Sequence, residues 1–216
     1  VTTSAPLNAI IVDARGDAPQ IRVEHHEMQE ILARADILST FEAGKGARMI
    51  APASRAVRMA AHVIKREALG AALGIPPTAI AFEEPLDRPR LLPPYADMHV
   101  SLSHTRDAIA ITFGPRPIGV DIETLGRSKD PVAMAQRFFG EGEAAAIAAD
   151  PSGFSFAWRW TAKEALKKAA DIDLFAALAR RMPDVDPHEG FTAHGARFRV
   201  WRIGDAHVCA VAEMNV

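Results

Sequence analysis

The run Gly114-Pro115-Arg116-Pro117 cuts the 216-residue chain nearly in half. Two prolines and a glycine within four residues suit neither a helix interior nor a central strand. Each side must therefore build its own elements, which gives two lobes, residues 1–114 and 115–216. Both halves read the same way, as one long helix followed by strands. The tetrapeptide Arg66-Glu67-Ala68-Leu69 in the first helix is echoed by Lys163-Glu164-Ala165-Leu166 in the second. The pattern predicts an α+β fold of two similar lobes.

In the first half, residues 9–12 read as a strand. Ile31, Leu32, Ala35, Leu38 and Phe41 recur at helical spacing and predict a helix over 27–41, interrupted by Gly44 and Gly46. Ser54 is the expected N-cap of a long helix over 55–73, which Gly74 and Pro76-Pro77 stop. A short apolar segment at 79–82 and a proline-rich loop at 85–94 precede strands at 98–102 and 108–113, joined by a turn at 104–107. The second half predicts a strand at 118–122, helices at 132–139, 141–149 and 154–170, and strands at 197–203 and 207–212.

Hydrophobic residues make up 49% and charged residues 24%, which excludes a disordered chain. The 25 basic and 27 acidic residues leave no whole-protein basic field, so no nucleic-acid partner is expected. No run approaches the roughly 18 apolar residues of a membrane span, and the first thirty residues lack an apolar stretch of signal-peptide length. The one cysteine, Cys209, sits in an apolar run and reads as a core residue. A cytoplasmic protein without a membrane partner is expected.

Asp121 and Glu123 are two apart on a predicted strand and so share a face. Paired carboxylates there can hold a divalent cation, Mg²⁺ rather than zinc; the same pair also suits a solvated edge strand. Glu164 and Lys168, four apart, share one side of the second long helix with Trp160. They could equally form a surface ion pair. Ser103 and His104 are adjacent on a strand and point to opposite faces, which argues against a hydrolytic Ser-His pair and allows an anion contact. Lys45, Arg48, Arg55, Arg58, Arg88 and Arg90 form a basic set that fits an anionic ligand or plain solvation.

Together these segments resemble the 4′-phosphopantetheinyl transferases of the broad, two-lobed type that activates surfactin-synthetase-like peptide and polyketide synthases. The matching stretches are Val100-Ser101-Leu102-Ser103-His104, Ile118-Gly119-Val120-Asp121-Ile122-Glu123, Arg137-Phe138-Phe139 through Glu143, and Trp160-Thr161-Ala162-Lys163-Glu164-Ala165-Leu166-Lys167-Lys168. Leu38-Ser39 with Glu42, Arg55 through His62 to Arg66, and Asp87-Arg88-Pro89 match more weakly.

The resemblance implies a pseudo-twofold pair of α+β lobes with the site in the cleft between them. It implies transfer of 4′-phosphopantetheine from coenzyme A to a serine of an apo acyl or peptidyl carrier protein, releasing 3′,5′-ADP. Asp121, Glu123 and Glu164 would bind Mg²⁺. Glu164, Lys168 and His104 would be catalytic, with Glu164 as base. Lys45, Arg48, Arg88, Ser103, His104 and Lys163 would contact coenzyme A. A coenzyme A-binding paralogue without transfer and a Mg²⁺-dependent pyrophosphate hydrolase are the alternatives. A chain holding both lobes is expected to be a monomer.

Three departures from the family pattern stand out. Glu42 lies where many members have a basic residue, and His104-Thr105-Arg106 replaces His-Ser-Gly. Ala169-Ala170-Asp171-Ile172-Asp173 replaces a Lys/Gly-rich turn.

Overall fold

In each half of the chain a long helix lies on a four-stranded sheet. The structure, a computed structural model, describes residues 6–85 and 88–215, so Asp87 lies outside the described residues. The chain divides into two units, Val1–Pro115 and Arg116–Val216.

The first unit runs β1 (Leu7–Asp13), β2 (Gln20–His26), α1 (Met28–Leu32), α2 (Thr40–Ala47), α3 (Pro52–Leu73), β3 (His99–His104) and β4 (Ala108–Gly114). The sheet order is β2-β1-β4-β3, with β1 antiparallel to β2 and parallel to β4. β1 and β4 are nearly all apolar and buried, so they take the centre. β2 is largely polar and exposed, which suits an edge. Ala60, Ala61 and Ile64 of α3 pack on Leu7, Ala9 and Ile109, while Ala68 and Leu69 pack on Ile11, Ile111 and Phe113.

Two local expectations need correction here. The helix expected over 27–41 is broken into α1 and a 3₁₀ turn, Ala35–Ile37. Ser39 then starts α2 with a capping box: its hydroxyl accepts from Glu42 N, and Glu42 accepts from Ser39 N. Gly44 and Gly46 therefore sit inside a helix rather than after one. Likewise α3 starts at Pro52, and Ser54 lies within it, because proline's fixed φ and missing N–H suit the first helical position.

The second unit runs β5 (Ile118–Thr124), α4 (Pro131–Phe138), α5 (Glu143–Ala148), α6 (Phe154–Ala170), α7 (Leu174–Leu178), β6 (Phe191–Ala193), β7 (Ala196–Ile203) and β8 (His207–Met214). Its sheet order is β5-β8-β7-β6, antiparallel throughout. In both sheets the unit's first strand lies beside its last, and the last beside the one before it. That first pair is parallel in one unit and antiparallel in the other.

The α6 helix seats on β5 and β8 through small residues. Ala165 and Ala169 pack in one core with Ala210 and Ala212. At Gly119 a Cβ would lie 2.0 Å from Ala165 O and 2.7 Å from Ala169 N, so backbone meets backbone there.

The first residues of the echoed tetrapeptides, Arg66 and Lys163, occupy equivalent environments. Arg66 Nε donates to Glu42 Oε2 at 2.6 Å, and its Nη1 donates to the carbonyls of Pro77 and Ile80. Lys163 Nζ donates to Glu143 Oε2 at 2.8 Å and to the carbonyls of Leu178 and Arg180. Each glutamate comes from the preceding helix and also accepts from the backbone N–H three residues earlier, Ser39 in one unit and Gly140 in the other. All four side chains are buried. In the first unit Lys65 adds a second cation on Glu42, at 2.5 Å. His62 Nδ1 lies 3.6 Å from the same carboxylate.

Burial would raise the Glu42 pKa, but Lys65 and Arg66 overcome it and hold the carboxyl at about 2. Burial, with Lys65, Arg58 and Lys45 adding to it against Glu42, brings His62 down to about 3.

Two outcomes follow from this packing and these charges. Gly119→Ala should cost about 3 kcal/mol or more by forcing α6 off β5. Gly44→Ala, whose added Cβ meets nothing within 4 Å, should gain about 0.5–1 kcal/mol; urea unfolding measures both. The second outcome concerns pH. An unfolded histidine gains its proton near 6.5, while the folded His62 stays neutral to about 3, so stability falls as pH drops below 6.5. Glu42 contributes fully above its ordinary value of 4.5 and loses that contribution towards about 2. His62→Gln should flatten the profile between pH 6.5 and 4.5. Glu42→Gln should cost about 3–5 kcal/mol at pH 7, because Lys65 and Arg66 stay buried without their counter-charge.

Candidate active site

Gly119, Asp121 and Glu123 alternate along β5 and face α6, while Ile118, Val120 and Ile122 form the opposite apolar face. The close approach at Gly119 brings the short Asp121 side chain within reach of the helix. Lys168 Nζ donates to Asp121 Oδ1 and to Val120 O, both at 2.8 Å. Glu164, one turn earlier on α6, lies 3.6 Å from Lys167 Nζ. Glu123 is in direct contact with Arg127 Nη1. The sequence singles out Glu164 and Lys168 as neighbours; in the fold Lys168 instead pairs with the strand.

The three carboxylates feel one another. Burial pushes the Glu123 pKa up and the Arg127 contact pulls it down; the negative charges of Asp121 and Glu164 push it up again, and the net is upward. Arg127 is raised, chiefly by its hydrogen bond to Glu123 and further by Asp121 and Glu164. Among the described residues, no three His, Cys, Asp or Glu side chains stand close enough to form a finished metal cage. The donor set is nevertheless oxygen-only and strongly acidic, which suits a hard divalent cation. Its present partners are Lys168, Arg127 and Lys167.

Beside Glu123 a cavity of about 240 Å³ opens between the β5–α4 connection and α6, lined by Thr124, Arg127, Met134, Phe156 and Trp160. The buried indole Nε1 of Trp160 has no hydrogen-bond partner among the described residues. The ring itself packs against Phe139 and Phe156.

One expected ligand contact is overturned. Lys163 was expected at coenzyme A, but its side chain is fully buried and its ammonium donates to Glu143, Leu178 O and Arg180 O. Those three acceptors use all three of its donors. Glu143, also fully buried, is its counter-ion. Glu42, the departure in the Lys45 segment, is likewise a buried structural anion.

The remaining candidates lie in the first unit on three elements. Lys45 is in the last turn of α2, over the ring of Phe41, and Arg48 follows as its C-cap. Arg88 precedes the short bridge Arg90–His99. Ser103 and His104 end β3, where Val100 and Leu102 mark the face turned to the α3 core; alternation puts His104 on that face and Ser103 on the other. Thr105, where the family pattern has serine, organises the following turn: its hydroxyl accepts from Ala108 N and donates to Asp107.

Sequence reasoning overlooked Arg127. Its i,i+4 spacing from Glu123 was the available signal, but Gly126 at φ 74° shows that the intervening segment is a turn and not a helix. Lys65 was overlooked too, since nothing in its neighbourhood marks a buried cation.

Residues 117–212 match the model of the 4′-phosphopantetheinyl transferase superfamily. The chain is 31% identical over 150 residues to the 4′-phosphopantetheinyl transferase HetI of Nostoc sp., an alignment covering 66% of this chain and 62% of that protein. It is 31% identical over 108 residues to a 4′-phosphopantetheinyl transferase of Bacillus subtilis, covering 49% and 47%. The chain thus spans less than two thirds of either relative's length. The family match takes in both β5, with its acidic face, and α6, with Glu164 and Lys168, so it is the segment bearing the acidic patch that is similar to the 4′-phosphopantetheinyl transferase superfamily.

Proposed function

We propose that the protein transfers 4′-phosphopantetheine from coenzyme A to a serine hydroxyl of an apo acyl or peptidyl carrier protein, releasing 3′,5′-ADP. The observation that carries this reading is the set Asp121, Glu123, Glu164 and Lys168, drawn from β5 and α6 around one acidic patch. The match of residues 117–212 to the superfamily model and likeness to two named transferases support it. The two-lobed type that serves peptide and polyketide synthases is the subtype we favour. The single cysteine, Cys209, is a buried free thiol whose pKa burial raises, which suits a reducing, cytoplasmic setting.

Asp121, Glu123 and Glu164 are the residues that would hold Mg²⁺. Bound there, the metal would neutralise the pyrophosphate of coenzyme A. Glu164 accepts the serine proton, directly or through a water, from a helix position that is only partly exposed. Lys168, held by Asp121 and Val120 O, offers positive charge as the transferring phosphoryl group gains negative charge. In the first unit, Ser103 and His104 bind phosphate oxygens, and Lys45, Arg48 and Arg88 bind the nucleotide phosphates. A monomer is the oligomeric state we infer.

Mass spectrometry of an apo carrier protein incubated with coenzyme A and Mg²⁺ tests the reading. Transfer adds the phosphopantetheine mass to the carrier. Free phosphopantetheine would mean hydrolysis, and an unchanged carrier with bound coenzyme A would mean a binding protein; either result overturns the proposal. Glu164→Gln should lower kcat by roughly 10²–10⁴-fold with no rescue by excess Mg²⁺. Restoration to near wild-type rate by Mg²⁺ would make Glu164 a ligand only. His104→Ala and Arg88→Ala should mainly raise the KM for coenzyme A.

A further inference from the structure

Each carboxylate of the acidic patch already has a cation of this chain. Asp121 has Lys168, Glu164 has Lys167 at 3.6 Å, and Glu123 has Arg127 in direct contact. The three cations are not equivalent. Lys168 is only 21% exposed, is fixed on α6 and also holds the Val120 carbonyl. Its carboxylate retains further lone pairs for another partner. The Lys167 contact is long. Arg127 is 65% exposed and projects from the turn after β5, where Leu125 N is tied to Ala206 O and Arg127 N to Thr124 O. Its guanidinium feels all three carboxylates at once, as a metal ion there would. Withdrawing it into water costs little desolvation, because most of it is in water already.

We propose that Arg127 is a tethered counter-ion that holds Glu123 until a divalent cation displaces it, and so sets the metal concentration at which the site fills. This rests on the reading of Asp121, Glu123 and Glu164 as metal ligands. Arg127 is a positioning residue: it keeps the carboxylates together while no metal neutralises their repulsion. It also makes metal binding an exchange of one cation for another rather than a simple addition. Monovalent salt weakens the Arg127–Glu123 contact by screening, so rising ionic strength lowers this competition in the wild type.

The test is direct Mn²⁺ binding to the purified chain without coenzyme A, read as loss of the free-ion electron paramagnetic resonance signal. Wild type is compared with Arg127→Gln, Arg127→Lys and Arg22→Gln, the last removing an equal charge from the exposed edge strand β2. Arg127→Gln should bind Mn²⁺ roughly two- to five-fold more tightly, the scale of a partly exposed ion pair. Arg127→Lys should fall between it and wild type, and Arg22→Gln should match wild type. Without metal, Arg127→Gln should unfold at a lower temperature than wild type, and saturating Mn²⁺ should narrow that gap. Equal or weaker binding by Arg127→Gln, with wild type binding normally, overturns the counter-ion role and leaves the metal reading standing. No Mn²⁺ binding by wild type or by Arg127→Gln overturns the metal reading and this inference with it.

Discussion

The backbone contact between α6 and β5 at Gly119 governs the acidic patch. No side chain fits between Gly119 and the Ala165 carbonyl, so the helix lies nearer the strand than any Cβ would permit. Two residues along β5 the consequence appears: a carboxylate as short as aspartate reaches Lys168. Four residues along, Glu123 enters the same field as Glu164. The alanines of α6 and β8 continue the close seating across the sheet. Small residues here do not maximise buried apolar area. They set a distance, and the distance determines which charges interact.

The two units share more than an order of elements. In each, a basic residue of the long helix is buried against a glutamate of the preceding helix and caps two carbonyls of the segment that follows. Such a pair ties three stretches of chain together, and its buried charges make alternative packings costly. The residues next in sequence then diverge. Glu67 turns outward to Arg34 at 2.5 Å, whereas Glu164 joins the strand carboxylates. The chemistry proposed for this protein arises where the repeat stops being symmetrical.

Charge balance distinguishes the interior from the patch. Glu42 and Glu143 are buried with cations that solvent barely reaches, and they serve architecture. Asp121, Glu123 and Glu164 meet cations of graded exposure, from Lys168 at 21% to Arg127 at 65%. A group that must exchange partners during function needs the exposed kind, because its partner's return to water is then nearly free of cost.

Much of this was legible in the sequence. The Gly-Pro-Arg-Pro break, the span of α6, the strand bearing Asp121 and Glu123, and the order of helix and strands all follow from period, proline and glycine, which act locally. The tertiary structure decided the rest. β2 carries only the short alternation of Ile21 and Val23 among polar residues, too brief to mark a strand by itself, and it forms one by pairing along the edge that β1 offers. The capping box at Ser39 overrode a helical apolar period that ran through it. Lys163 and Lys167 are indistinguishable as letters in a basic run. One turn apart on the same helix, one is sealed in the core by Glu143 and the carbonyls of Leu178 and Arg180 while the other pairs with Glu164, because the segments that the fold packs over each position, and not the helical period, decide which ammonium is buried.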